Sequence, residues 1–240
     1  MDKMMPNVTL LDRLKQFSSL TASDQRHLNE IDYIERTVPA RSEVIDAHTE
    51  MAYLPLVVDG WTVQYQLAPD GRRTVHCIAI PGDIVDNPVG RAPIATCSSQ
   101  TLTEASLRFY PVAPLRRLIA REAGIAAAFF AWEAAHFAML RGRLLPLTQF
   151  TAYERLVHFC LDLLTRLEDV GLAEDDTFPL PVSQALIGDY LGMHEVHVNR
   201  TFRRIEGDGY IVRRKGHVRV CDRQTLSDMI GFDTLVPHAG

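Results

Sequence analysis

The sequence predicts an α+β fold in three parts: an N-terminal antiparallel β roll, a long helix suited to pairing with a second copy, and a C-terminal winged helix-turn-helix. Three observations carry this. Between residues 31 and 110, short β-rich runs alternate with turns that contain Gly or Pro. From 130 to 147, large apolar residues return every seven positions. From 183 to 220, two short helical patterns flank a glycine and run into two β segments joined by basic residues. With 47% apolar and 23% charged residues, the 240-residue chain has the composition of a folded protein rather than a disordered one.

Leu11, Leu14, Phe17 and Leu20 lie at helical spacing, and a second short helical segment is expected from Ser23. The β region follows. Val57-Val58, the run from Trp61 to Leu67 and the run from Thr74 to Ile80 have strand composition. Between the last two, Pro69-Asp70-Gly71-Arg72 signals a hairpin, because Gly accepts the positive φ that such turns need. Pro81-Gly82-Asp83 closes the second of these strands. Ala95 to Cys97 and Thr101 to Tyr110 complete the set. No helix-length pattern interrupts it, so a roll is expected rather than a parallel sheet.

Pro111 ends the β region, and a short helix is expected over 115–119. After Gly124 comes a long helix on which Phe130, Phe137 and Leu144 recur by sevens, as do Leu140 and Leu147, with Glu133 breaking the second series. That is a seam about three heptads long and a candidate dimer contact. Ala128, Trp132, Ala135 and Met139 form a second apolar face, expected to cover the roll. Pro146 should end or kink the helix. Thr151-Ala152-Tyr153-Glu154 has the form of a capping box, so a new helix starts there and runs to about Asp169, stopped by Gly171. The segment 147–151 is the expected hinge. The expected domains are 1–118, the roll with its N-terminal helices; 119–150, the dimer helix and hinge; and 151–240, the winged unit.

Ser183 is an expected N-cap, followed by Leu186, Ile187, Tyr190 and Leu191 as the buried face of a short helix. Gly192 supplies the turn. A second helix, about 194–206, buries Val198, Phe202 and Ile205. It leaves Glu195, Val196, His197, Asn199, Arg200, Arg203 and Arg204 outward. Tyr210-Ile211-Val212 and Val218-Arg219-Val220, joined through Arg213, Arg214 and Lys215, form the wing.

Charge agrees with a polyanionic partner. The chain carries 25 Lys and Arg against 30 Asp and Glu, a net −5. From His197 to Arg223, however, there are eight basic residues and three acidic ones, which leaves 17 basic and 27 acidic for the remainder. A helix fits the ~12 Å major groove of double-stranded DNA, and an Arg one turn into it, Arg200, can grip guanine O6 and N7. The wing cations would lie along phosphate and release counterions. The expected DNA-binding set is Ser183, Gln184, His194, Glu195, Val196, His197, Asn199, Arg200, Arg203, Arg204, Arg213, Arg214 and Lys215.

These features together resemble the Crp/Fnr family of bacterial transcription regulators. The resemblance rests on Phe17-Ser18-Ser19-Leu20, the Pro81-Gly82-Asp83 turn, the long helix and Tyr153-Glu154-Arg155, and is tightest over 182–220. It implies a double-stranded β-helix roll like those that bind cyclic nucleotides, and a homodimer on a two-fold symmetric promoter site, with RNA polymerase as a further partner. Two recognition helices one DNA turn apart, ~34 Å, would read a palindrome. Many relatives carry a Glu four residues before the recognition Arg, where this chain has Val196, and a Ser or Thr cap where it has His194. Either His194 or His197 is therefore expected to reach phosphate. Cyclic-nucleotide binders also show a Gly-Glu and a later Arg-Ala pair. Here Asp83 is expected to be structural, and Arg91-Ala92 is a weak echo between Pro88 and Pro93, so cyclic AMP is not the expected effector.

Other chemistries find little support. The first thirty residues hold no cysteine for an iron–sulfur cluster. His76 and Cys77 point to opposite faces of a strand, which disfavours haem. His194 and His197 are three apart rather than the four of a zinc-protease helix. Cys77, Cys97, Cys160 and Cys221 contain no CxxC pair, which argues against disulfide or zinc scaffolds, and Cys221 is expected to be buried or idle. No metal, no cofactor and no catalytic dyad are expected. A small-ligand receptor, for a cyclic nucleotide or haem, is the alternative reading. The most apolar stretch, 124–140, is cut by Glu133 and His136, and the first residues lack a basic-then-apolar layout, so a cytoplasmic protein without membrane contact is expected.

Overall fold

The computed structural model describes residues 8–90 and 93–232. The described residues divide into two compact units on either side of His136 and Phe137, the division falling inside one long helix.

In the first unit, α1 (Leu10–Lys15) and α2 (Ala22–Asn29) each open on a capping box, Thr9 with Asp12 and Thr21 with Asp24. The second helix is therefore capped at Thr21 and starts at Ala22, not Ser23, because the Asp24 carboxylate reaches back to the Thr21 N–H at 3.0 Å. Seven strands follow: β1 (Ile34–Val38), β2 (Glu43–Ile45), β3 (Tyr53–Asp59), β4 (Thr62–Leu67), β5 (Arg73–Ala79), β6 (Ser98–Thr101) and β7 (Ala105–Pro111). They form two antiparallel sheets, ordered β1-β7-β3 and β2-β6-β4-β5. The β4–β5 hairpin turns where the sequence places it, with Gly71 at φ 83°.

The chain then enters α3 (Val112–Arg121) and α4 (Ala123–Gly142). Ile125, Ala128, Phe129 and Trp132 pack into one core with Leu10, Leu54 and Tyr110. Asp83 does structural work: its carboxylate accepts the Ile80 N–H at 2.9 Å and the Arg13 guanidinium at 2.9 Å. Glu133, the break in the second heptad series, accepts the side-chain amide of buried Asn87 at 3.2 Å. Arg116 binds the neighbouring carbonyls of Pro88 and Val89. Arg91 and Ala92 lie outside the described residues.

The helical stretch Ala123–Gln149 reaches a mean hydropathy of 1.4 and is long and apolar enough by that measure to cross a membrane, despite Glu133 and His136. Packing gives its apolar residues another role. The inner face sits in the core just described, and Phe130 (74% exposed) and Phe137 (65%) project outward.

In the second unit, α5 (Leu144–Gln149), α6 (Ala152–Asp169), β8 (Thr177–Pro179), α7 (Gln184–Leu191), α8 (Glu195–Gly207), β9 (Ile211–Arg214), β10 (His217–Val220) and α9 (Arg223–Ile230) complete the chain. The break expected at Pro146 occurs at Arg143, one turn earlier. Pro146 sits in the first turn of α5, where a missing N–H costs nothing, while its ring would oppose a continuous helix at the carbonyl four residues back. The three-heptad seam is therefore interrupted: Leu144 and Leu147 belong to α5, with Leu144 and Leu145 exposed and Leu147 half-buried. The Thr151–Glu154 capping box opens α6 as expected. The wing sheet has three strands, β8-β10-β9, instead of two, because Thr177–Pro179 pairs with the outer edge of β10. Three residues ending in Pro carry too little pattern to be read as a strand.

Candidate nucleic-acid interface

Local chemistry builds α7 and α8 as a rigid pair. The Ser183 hydroxyl accepts the Leu186 N–H at 3.2 Å, so its first duty is to cap α7. Gly192 ends α7 at φ 65°, a left-handed conformation that favours glycine. A second glycine, not singled out in the sequence, is as necessary: a Cβ on Gly188 would collide with the Met193 carbonyl oxygen of the turn. His194 caps α8, its Nδ1 accepting the Val196 N–H at 3.3 Å. The cap thus survives the change from Ser or Thr, and it occupies only Nδ1 of the exposed His194 ring.

Val198, Thr201, Phe202 and Ile205 hold the inner face of α8. Glu195, Val196 (67%), His197, Arg200, Arg203 and Arg204 are exposed. Asn199 is half-buried and its carbonyl oxygen accepts the Gln184 side-chain amide at 3.4 Å, tying the two helices together. Val196, Arg200 and Arg203 lie along one stripe of the helix. Arg200 takes part in no ion pair among the described residues, and Glu206, a rival partner six residues on, is committed elsewhere.

That commitment corrects the expectation for Arg213. Its Nε and Nη2 donate to the Glu206 carboxylate at 3.1 and 2.8 Å, its backbone N–H donates at 3.2 Å, and its guanidinium lies 4.3 Å from the centre of the Phe202 ring. The bond to Arg213 holds the Glu206 carboxyl below the usual carboxylate range. Strand register explains this: Arg213 pairs across from buried Val218 and so faces inward, while Arg214 faces out. Arg213 fastens the wing to α8. Arg214 and Lys215 remain exposed at the tip, where Lys215 (φ 48°) and Gly216 (φ 78°) form the two-residue turn.

Arg204 also has an internal partner. Its guanidinium lies 5.1 Å from the Tyr153 ring centre, and the Tyr153 hydroxyl donates to Asp208 at 2.9 Å. Burial, reinforced by that carboxylate, pushes the Tyr153 phenol up to about 12. His197, Arg200 and Arg204 line a cleft of about 1040 Å³ together with Thr151, Tyr153 and Glu154 from the start of α6. Helix α8 thus presents an outer stripe beside a cleft lined by two arginines and two carboxylates, Glu154 and Asp208.

Two arginines outside this stripe carry no functional expectation from the sequence. Arg143 donates to the Tyr190 carbonyl at 3.1 Å with its guanidinium 3.6 Å from the Tyr190 ring centre, and Arg155 donates to the Leu191 carbonyl at 3.3 Å. The sequence signal of Arg143 is only its position at a helix break, whereas Arg155 belongs to the Tyr153-Glu154-Arg155 run at the start of α6. Cys221 is exposed rather than buried. No three His, Cys, Asp or Glu side chains come together among the described residues in a way that could hold a metal.

Residues 154–229 match the model of the Crp-like helix-turn-helix domain. Over nearly its full length the chain is similar to the nitrogen fixation regulation protein FixK of Bradyrhizobium diazoefficiens, 27% identical across 91% of this chain and 96% of that protein. It is 26% identical to the transcriptional activator protein FnrL of Cereibacter sphaeroides, across 86% and 84%. The fold is that of FixK2 from Bradyrhizobium japonicum, with a TM-score of 0.75 and 23% identity over 88% of this chain and all of that one.

Proposed function

We infer that this chain, a DNA-binding transcription regulator of the Crp/Fnr type, works as a homodimer whose two α8 helices enter successive major grooves of a palindromic promoter site. The observation that carries this reading is the outward stripe of Val196, Arg200 and Arg203, standing beside the cationic wing tip of Arg214 and Lys215. Arg200 grips a guanine, and Val196 offers a methyl surface suited to a thymine where many relatives have a carboxylate. Glu195, His197 and Asn199 border the same groove. Ser183 and Gln184, at the start of α7, meet the flanking backbone together with Arg214 and Lys215.

Phe130, Phe137, Leu140, Leu144 and Leu147 form the surface that pairs with a second copy. Four apolar side chains on α4 and α5, Phe130, Phe137, Leu144 and Leu145, are more than half exposed, and covering them removes that area from water. The dimer acts in the cytoplasm, with RNA polymerase as its partner at the promoter. The effector is not cyclic AMP. Supporting this, the Glu133 carboxylate lies against Gly90, where a Cβ would sit 3.4 Å from its Oε2, so an anionic phosphate near this loop would meet a negative charge. Titration of a selected inverted repeat with purified protein, beside the Arg200→Ala variant, tests the reading. Indifference of the variant to the guanine position supports it, and an unchanged base preference overturns it.

A further inference from the structure

Helix α7 ends on two carbonyls, those of Tyr190 and Leu191, that no helical N–H can reach. Arginines from upstream take both. Arg143 stands at the break between α4 and α5, donates to the Tyr190 oxygen at 3.1 Å, and lays its guanidinium 3.6 Å from the centre of the Tyr190 ring. Tyr190 is buried and its ring meets Phe159 of α6 edge-on at 5.4 Å. Arg155, in the first turn of α6, donates through Nε to the Phe150 carbonyl at 3.0 Å and through Nη1 to the Leu191 carbonyl at 3.3 Å. Phe150 is the C-cap of α5. Each arginine therefore joins the α5 segment to the end of α7, and both are charge-assisted bonds made away from full solvent.

We propose that Arg143 is the positioning residue of the DNA-binding unit: with Arg155 it clasps the end of α7 to the helix break, so that the segment from 143 to 155 and the helix-turn-helix move as one body. The expected hinge at 147–151 is lashed at both ends. Any pivot then lies upstream of Arg143. From the clasp, three residues of turn fixed by Gly188 and Gly192 lead directly to α8. The clasp thereby sets the angle at which each subunit presents its recognition helix, and so which separation of half-sites the dimer accepts. This rests on the dimeric DNA-binding reading above.

The test uses full-length protein and inverted-repeat DNA in which the central spacer is lengthened or shortened by one and two base pairs, with a single half-site as reference. Wild-type protein should prefer one spacer. Arg143→Ala should stay dimeric in sedimentation, keep its affinity for the single half-site, and lose about tenfold of the spacer preference, close to one charge-assisted contact. Arg143→Lys keeps the cation and the donor but not the planar stack, conserves the fold if alanine does not, and should lose part of the preference. If both variants discriminate spacers as wild type does, the clasp does not position α8 and the proposal is wrong. It is equally wrong if single half-site affinity falls in the same proportion as the preference, since Arg143 would then merely stabilise the unit. A wild-type protein indifferent to spacing overturns the dimeric reading itself, and the clasp with it.

Discussion

Arg200 stands one turn into α8, exposed and outside any ion pair among the described residues. Replacing it with alanine should cost ~1–3 kcal/mol on the cognate site and relax the preference at one base-pair position, measured by competition among single-base variants. Arg213 behaves differently because it is held by Glu206. Glu206→Ala leaves a half-buried guanidinium without its carboxylate and should lower stability by ~1–3 kcal/mol in a denaturant melt, weakening all DNA sequences alike. The sequence marked both arginines as basic and near DNA. It could not separate them, because the distinction rests on strand register against Val218 and on a carboxylate seven residues away.

At the scale of elements, caps and turns were the most legible features. The Thr151 box, the Ser183 cap and the Gly71 and Gly192 turns depend on a few adjacent residues, and each falls where its chemistry demands. Strand β8 and the exact helix break were not legible. The first is fixed by a neighbour forty residues on, and the second acts one turn before the proline that causes it. On α4 and α5 the apolar strip makes a direct prediction. Phe137→Asp with Leu144→Asp should give a monomer in sedimentation and sharply weaker DNA binding, and a persistent dimer would place the interface elsewhere. Helix α6 adds a pH dependence. His158, between the Phe150 and Phe232 rings, is held below its ordinary value chiefly by burial, with Arg143 adding to the effect and Asp162 opposing it. The unfolded chain takes up that proton near pH 6.5 and the folded chain only at lower pH, so this contribution to stability is lost as pH falls below about 6.5. Thermal melts from pH 7.5 to 5.5 should show a smaller acid-induced drop for His158→Phe than for wild type.

At the scale of the molecule, a chain of net charge −5 carries a local cationic excess, eight basic residues against three acidic ones, from His197 to Arg223. Binding should therefore weaken steeply with salt. Arg214→Ala or Lys215→Ala should each reduce the magnitude of the log–log salt slope by about 1 for every phosphate left unneutralised, without altering base preference. The overall class of fold and the helix-turn-helix were legible because they repeat simple periodicities of 2, 3.6 and 7. The clasp of Arg143 and Arg155 was not, since it joins carbonyls to side chains 47 and 36 residues apart. The central claim is that two copies of α8 read a symmetric duplex. Selection of bound sequences from a random double-stranded pool by the purified full-length protein tests it most directly. The account predicts enrichment of an inverted repeat whose half-site centres lie about 34 Å, or 10–10.5 base pairs, apart, each with a guanine at the position Arg200 reads. Enrichment of an asymmetric single site, or none above the input pool at moderate salt, would contradict it.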